Sequence, residues 1–102
     1  MPPPNFKILP ALEIQVFYLY ILQSEKTGRY YVGSTGDLLD RLRRHNSGYS
    51  KATKAGVPWK LVYTEEFATK SDAYRRELEI KAWKSRVLIE DLVNRQHGEH
   101  SD

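Results

Sequence analysis

Two short runs of mainly β-branched, aromatic and aliphatic residues constrain the fold of this chain most strongly. They occupy residues 16–22 and residues 29–33, and a short polar segment separates them. Residues of these types favour strands. The intervening segment, residues 24–28, ends in glycine, as hairpin loops commonly do. The pattern therefore predicts an antiparallel β-hairpin.

Two tyrosines and a glycine of this hairpin are candidate functional residues. If Tyr20 pairs directly with Tyr31, the two phenols share one face of the sheet, with Cβ atoms about 5 Å apart. A register slip of one residue would put them on opposite faces. We expect Gly33 to end the second strand at a point where any side chain would crowd an incoming group.

A helical pattern begins at Asp37 and is predicted to end at residues 46–48, which include a glycine. Its apolar stripe consists of three leucines: Leu38, Leu39 and Leu42. Arg41 and His45 are four positions apart, so they lie on one face of the helix. This helix thus brings two further candidate functional side chains close to the hairpin.

Residues 59–67 predict a third strand, because large apolar residues recur at every second position over most of its length. The residues expected on one face are Trp59, Leu61, Tyr63 and Phe67. A long helix through about Lys84 follows, with Ser71 or Thr69 as its cap and Asp72 in its first turn. A last helix begins after Ser85.

The long helix carries one carboxylate, Glu77, on the side expected to face the core. At about 100° per residue, that side also holds four apolar residues: Ala73, Tyr74, Leu78 and Ile80. A carboxylate in such a position must be paired, bind a cation or raise its pKa. A salt bridge to Lys81 or Arg41 and a metal site are therefore both open interpretations.

Together these elements predict one α+β domain with a three-stranded antiparallel sheet flanked by three helices. The expected boundaries are a flexible Pro-rich arm at residues 1–15, the domain at residues 16–95 and a polar tail at residues 96–102. A chain of 102 residues leaves room for a single modest core. His97 and His100 lie three positions apart in the acidic tail, and without further ligands we expect no metal site there.

Composition excludes several classes of protein. The sequence contains no cysteine, which rules out disulfides, thiolate zinc sites and thiol nucleophiles. Its longest apolar run is far shorter than the roughly 20 residues that span a bilayer, so no membrane association is expected. No secretory signal is recognisable at the start. We therefore expect a cytoplasmic protein.

Positive charge is concentrated in one segment. The whole chain has a net charge of +3, whereas residues 37–60 alone carry +4. Such a segment suits a phosphate backbone, although a solvated helix face is an equally simple explanation. Tyr49 lies in the same segment and would either stack on a base or pack the loop down. Nucleic-acid contacts are predicted at five residues: Gly33, Arg43, Arg44, Lys51 and Lys54.

The order and spacing of the candidate residues resemble the GIY-YIG nuclease superfamily, which includes small single-domain bacterial proteins and the nuclease domain of a DNA-repair excinuclease. The matching positions are Tyr20, Tyr31-Val32-Gly33, Arg41, His45 and Glu77. Tyr18-Leu19 stands where the family name has Gly-Ile. The resemblance covers residues 16 to about 93 and implies a nuclease, with a role in DNA repair as one context.

The resemblance also implies a role for each matching residue. Tyr20 would be the general base for the attacking water, and Tyr31 would orient water or phosphate. Arg41 would stabilise the phosphate, while His45 would assist proton transfer or hold the phosphate. Glu77 would bind one divalent cation, Mg²⁺ or Mn²⁺, since Mg²⁺ commonly binds through one carboxylate and a substrate phosphate.

These inferences predict a metal-dependent endonuclease acting on DNA, with RNA as an alternative substrate and a protein partner as a source of specificity. Two other functions stay open. The chain could be a non-catalytic nucleic-acid-binding module, although such a module gains nothing from a carboxylate beside phosphate. It could also be a protein-interaction adaptor that uses the Pro-rich arm or the last helix.

Overall fold

The computed structural model describes residues 14–98. Most of the predicted N-terminal arm, and His100 of the tail, lie outside these residues. The elements follow in this order: β1 (Phe17–Ser24), β2 (Tyr30–Thr35), α1 (Leu38–Asn46), a 3₁₀ turn (Lys54–Gly56), β3 (Trp59–Phe67), α2 (Lys70–Trp83) and α3 (Arg86–Gly98). The predicted α+β class, with a three-stranded antiparallel sheet and three helices, is confirmed.

The central strand of the sheet is β1, since the strand order is β2-β1-β3 and both pairings are antiparallel. Its residues Leu19 to Leu22 are almost completely buried because helices cover both faces. On one face, Leu19 and Ile21 pack with residues of β2, α2 and α3. On the other face, Tyr20 and Leu22 pack with α1 and Trp59.

The hairpin register differs from the expected one by two residues. Tyr20 lies opposite Gly33, and Tyr31 lies opposite Leu22. Because side chains alternate with a period of two, the two tyrosines still share the face covered by α1. They are diagonal neighbours rather than a directly opposed pair, and their ring centroids are 6.3 Å apart.

A β-bulge at Val62 divides the third strand. Ile21 pairs with Tyr63 while Leu22 pairs with Leu61, so the register shifts by one residue at Val62. Trp59 consequently packs on the α1 face of the sheet, whereas Tyr63 packs on the α2 face. The prediction that the large apolar residues of this strand all share one face was wrong, because the extra residue reverses the alternation.

The buried faces of two helices are narrower than predicted. In α1, Leu39 is 74% exposed, so the stripe that contacts the sheet consists of Leu38 and Leu42. In α2, Tyr74 and Leu78 are about half exposed. Two residues of α2, Ala73 and Ile80, are buried against the sheet, and Glu77 lies between them at helical spacing.

Side-chain caps fix where the first two helices begin. Asp37 caps α1 by accepting a hydrogen bond from the backbone N–H of Asp40 at 3.0 Å. Thr69, rather than Ser71, caps α2 by accepting from the N–H of Asp72 at 3.1 Å. Each cap thus fixes the start of a helix that carries candidate site residues, Arg41 and His45 on α1 and Glu77 on α2.

Candidate active site

Gly33 makes room for the ring of Tyr20. A Cβ atom built at Gly33 would lie 2.5 Å from the Tyr20 hydroxyl oxygen and 2.6 Å from its Cζ. The glycine is buried within β2 and does not end it. It therefore serves the placement of Tyr20 rather than leaving space for an incoming group, which removes the reason for predicting a nucleic-acid contact there.

A buried chain of hydrogen-bonding groups begins at Tyr20. Its hydroxyl lies 3.0 Å from Nε2 of His45, and Nδ1 of His45 lies 2.8 Å from Oγ1 of Thr53. All three residues are at most 3% exposed. Trp59 fixes the loop that holds Thr53, since its indole N–H donates to the Thr53 carbonyl at 2.7 Å. No motif or periodicity in the sequence marks Thr53 as part of this chain.

Burial determines the charge states of this pair. It raises the pKa of Tyr20 to about 12, and the neighbouring Tyr31 phenol adds to the rise while Arg41 opposes it. Burial also lowers the pKa of His45, and the guanidinium groups of Arg41 and Arg44 lower it further. At neutral pH the phenol is therefore protonated and the imidazole is neutral. The phenol O–H can donate to Nε2 while Nδ1–H donates to Thr53.

Tyr31 is more accessible than Tyr20 and faces a polar cavity. Its ring centroid lies 4.7 Å from that of His45. The cavity has a volume of about 230 Å³ and is lined by six residues: Tyr31, Arg41, Arg44, His45, Tyr49 and Ser50. The cavity offers two guanidinium groups and several hydroxyls, a donor set suited to a phosphate group.

Arg41 lines both this cavity and a second one of about 250 Å³, which is also lined by Ser34, Lys70 and Tyr74. Within residues 14–98, Arg41 makes no ion pair with a carboxylate. The salt bridge to Glu77 considered from the sequence is therefore absent. The Arg41 charge is available to an anionic ligand that enters either cavity.

Glu77 has partners on both carboxylate oxygens. The Ser34 hydroxyl donates to Oε1 at 2.6 Å, and the Lys81 ammonium donates to Oε2 at 2.6 Å. The Glu77 side chain is 12% exposed and that of Lys81 is 46% exposed. The salt bridge to Lys81 that the sequence offered as an alternative is present. Nothing in the sequence singles out Ser34, because a serine after a strand glycine carries no distinctive signal.

The carboxylate predicted to bind a cation is Glu77. Among the described residues, no three His, Cys, Asp or Glu side chains converge as a chelating site would need. Mg²⁺ does not need such a cluster, since it keeps several waters and binds through one carboxylate and a substrate phosphate. The residues fit this mode if the exposed Lys81 ammonium moves off Oε2. Lys81 also lies over the Tyr31 ring, at 5.9 Å from the centroid, which connects Glu77 to the first cavity.

The predicted nucleic-acid contacts other than Gly33 have exposed side chains around the end of α1 and the following loop: Arg43, Arg44, Lys51 and Lys54. Tyr49 lies among them and is 75% exposed, so the interpretation that it packs the loop down was wrong. The Arg44 guanidinium lies over its ring at 5.4 Å from the centroid.

Among residues 14–98, no helix combines the length and the hydrophobicity that crossing a bilayer would require.

Three comparisons with known proteins each match most of this chain. Residues 16–90 match the model of the GIY-YIG catalytic domain. A UPF0213 protein of Bacillus pumilus is 39% identical over 87 residues, which cover 81% of this chain and 88% of that protein. A UPF0213 protein of Streptococcus pneumoniae is 43% identical over 78 residues, covering 76% of this chain and 77% of the relative. The solution NMR structure of the UPF0213 protein BH0048 from Bacillus halodurans is 37% identical, with a TM-score of 0.53, and the match covers 83% of this chain and 89% of that one.

Proposed function

The chain belongs to the GIY-YIG family, and from this membership and the site geometry we propose a metal-dependent endonuclease that hydrolyses DNA phosphodiester bonds. A GIY-YIG catalytic domain indicates a nuclease-type function and a nucleic-acid substrate. The metal dependence, the choice of DNA and the role of each residue are our proposals.

The observation that carries the proposal is the convergence of three elements at the edge strand β2. The hairpin contributes Tyr20 and Tyr31, and α1 contributes His45, whose ring contacts both tyrosines. From α2, Glu77 reaches the Ser34 hydroxyl on β2. Arg41 lines one cavity with Tyr31 and His45, and a second cavity with Ser34, the hydrogen-bond partner of Glu77.

Arg41 would bind the scissile phosphate. Its guanidinium has several N–H donors and a permanent charge, and it has no carboxylate partner among the described residues. Negative charge grows on the phosphate oxygens as the water attacks, so a cation already in place lowers the barrier. Arg44, which lines the same cavity, would hold the backbone beside it.

Tyr20 would take the proton of the attacking water by passing its own proton to His45. A phenol whose pKa is raised to about 12 is a poor base on its own at neutral pH. The neutral imidazole offers an acceptor nitrogen 3.0 Å away, and its lowered pKa keeps that nitrogen unprotonated. Tyr31 would orient the water or the phosphate from the wall of the cavity.

Glu77 would hold the divalent cation, with Ser34 fixing the orientation of the carboxylate. When bound there, Mg²⁺ or Mn²⁺ would neutralise the scissile phosphate and stabilise the departing 3′ oxygen. Lys81 would have to release Oε2 before the cation could bind.

One observation favours the alternative of a non-catalytic nucleic-acid-binding module. The Glu77 carboxylate already has a cationic partner in Lys81, so the fold neutralises it without a metal ion. A binding module would retain this pair as a structural contact and would use Arg41, Arg44 and the neighbouring lysines for phosphates alone.

The test is cleavage of labelled duplex, branched and single-stranded DNA, and of RNA, by the full chain with Mg²⁺, with Mn²⁺ or with EDTA. The proposal predicts cutting of DNA that EDTA abolishes and that Arg41→Ala reduces by about 100-fold or more, because Arg41 stabilises developing charge. Arg29→Ala, a change in the hairpin loop, is the matched control and should cut normally. Salt-sensitive binding without any cutting would favour the binding module.

A further inference from the structure

We infer that Tyr49 and Arg44 form a stacking subsite for an unpaired base, so that the substrate has a single-stranded segment next to the phosphate that is cut. This inference rests on the proposed function, because it assumes that the neighbouring cavity receives a phosphate.

The placement of Tyr49 gives the inference its first support. The residue follows the end of α1, where Gly48 has a positive φ of 79° and the Tyr49 N–H donates to the Ser47 hydroxyl at 3.2 Å. Its side chain is 75% exposed even though Arg44 lies over its ring. One face of the ring is therefore covered by a guanidinium, and much of the remaining surface is open to a planar group.

The second support is continuity with the proposed active site. Arg44 and Tyr49 line the cavity that also contains Tyr31, Arg41 and His45. The same two residues line a shallower cavity of about 390 Å³ with Arg43 and Ser47. A chain whose phosphate lies at Arg41 can thus continue past Arg44 and bring its next base to Tyr49.

Charge identifies the ligand class. Arg43 and Arg44 line a cavity with the exposed ring, and Lys51 and Lys54 follow it in the chain. Within residues 14–98 only Arg43 of these four pairs with a carboxylate, at 3.5 Å from Asp40. Exposed aromatic rings in a positive groove are the usual stacking platforms for single-stranded nucleic acid. In a duplex both faces of each base are already stacked, so Tyr49 could not stack on a base without unpairing it. We therefore assign the subsite to unpaired bases.

The experiment measures binding of the full chain in EDTA, where metal-dependent cutting does not interfere. The probes are a single-stranded DNA of about 12 nucleotides, carrying the fluorescent base 2-aminopurine, and the same sequence as a duplex. Tyr49→Ala should weaken single-strand binding about 10-fold, in line with the loss of one base–aromatic stack. It should also remove the fluorescence quenching that stacking causes. Duplex binding should change little.

Two control variants make the result specific. Tyr49→Phe keeps the ring and should bind and quench like the wild type. Leu39→Ala removes an equally exposed apolar side chain from α1 and should change neither quantity. The inference is overturned if Tyr49→Ala binds and quenches like the wild type, if duplex binding falls as much as single-strand binding, or if the chain binds no single strand at all.

The binding experiment also separates this inference from the nuclease proposal. If single-strand binding depends on Tyr49 but the chain shows no metal-dependent cutting, the stacking subsite is supported and the nuclease proposal is wrong. Metal-dependent cutting with no effect of Tyr49→Ala on single-strand binding would keep the nuclease and reject the subsite.

Discussion

The hydroxyl of Tyr20 and Nε2 of His45 lie 3.0 Å apart in a buried contact between the central strand and α1. Both side chains are buried, since Tyr20 is 1% exposed and His45 is 3% exposed. The contact therefore makes the packing of α1 on the sheet depend on the protonation state of one imidazole.

The first prediction concerns the pH dependence of stability. The pKa of His45 in the folded chain is lowered, so the unfolded chain binds more protons as the pH falls below about 6.5. The stabilisation associated with the neutral imidazole is present above that pH and is lost as the pH falls through the folded-state pKa. Chemical denaturation at several pH values should give a steeper acid-side loss of unfolding free energy for the wild type than for His45→Gln. Equal acid-side slopes would contradict this.

The second prediction concerns Gly33. In Gly33→Ala the new methyl group would collide with the Tyr20 ring, so the ring or the strand must shift. We expect a loss of about 1–3 kcal/mol in unfolding free energy, the usual cost of overpacking. Nuclease activity should fall by more than this loss of stability explains, because Tyr20 moves relative to His45. The unfolding free energy and the rate of DNA cleavage can be measured on the same protein preparation.

Gly36→Ala is the control for that change. There the nearest atoms to an added Cβ are the flexible Gln15 amide at 3.2 Å and a Phe17 ring carbon at 3.4 Å, which can give way. This variant should be close to wild type in stability. A Gly33→Ala protein as stable as Gly36→Ala would show that the Tyr20 ring adjusts freely.

The third prediction concerns Lys81, whose ammonium occupies a Glu77 oxygen at 2.6 Å. Removing this competitor in Lys81→Met should tighten Mn²⁺ binding, measured by calorimetry in the absence of nucleic acid. The gain should be at most about 5-fold, because a partly exposed ion pair contributes about 0.2–1 kcal/mol. Lys26→Met, a change in the hairpin loop, should leave the affinity unchanged. Weaker Mn²⁺ binding by Lys81→Met would mean that Lys81 instead holds Glu77 in its binding orientation.

Much of the fold follows from local patterns in the sequence. The composition of residues 16–33 predicts the hairpin, the leucine spacing predicts α1, and the predicted limits of the third strand agree with Trp59–Phe67. Local patterns do not predict the register in which β1 and β2 pair. Composition favours pairing of the two runs, but the steric fit of Gly33 beneath Tyr20 is a tertiary contact that local propensity does not contain.

The bulge at Val62 shows the same limit. One extra residue in β3 shifts the register and reverses the side-chain alternation, and nothing in the run of apolar residues marks where the reversal occurs. Helical periodicity predicts Leu39, Tyr74 and Leu78 on buried faces only if each helix is covered over a wide angle. In the fold, α1 and α2 each contact the sheet over a narrower strip.

The sequence also predicted only some of the residues of the candidate site. The positions of Tyr20, Tyr31, Arg41, His45 and Glu77 were available from the family resemblance. Their supporting residues Ser34 and Thr53 were not, since each is a small hydroxyl residue that matters only through one contact from a distant element. The roles of all these residues in catalysis stay predictions.

The measurement that tests the central claim most directly is the single-turnover rate of DNA cleavage with Mg²⁺ for the wild type, Glu77→Gln and Glu79→Gln. Glu77→Gln keeps an acceptor for Ser34 but removes the charge proposed to hold the cation. Glu79, two positions along α2, is largely exposed and pairs with Arg76, so its variant controls for helix stability. We predict a loss of about 100-fold or more for Glu77→Gln, a near-normal rate for Glu79→Gln, and folded protein in both cases. Metal-dependent cutting by Glu77→Gln at the wild-type rate, or no cutting by the wild type on any substrate, would contradict the account.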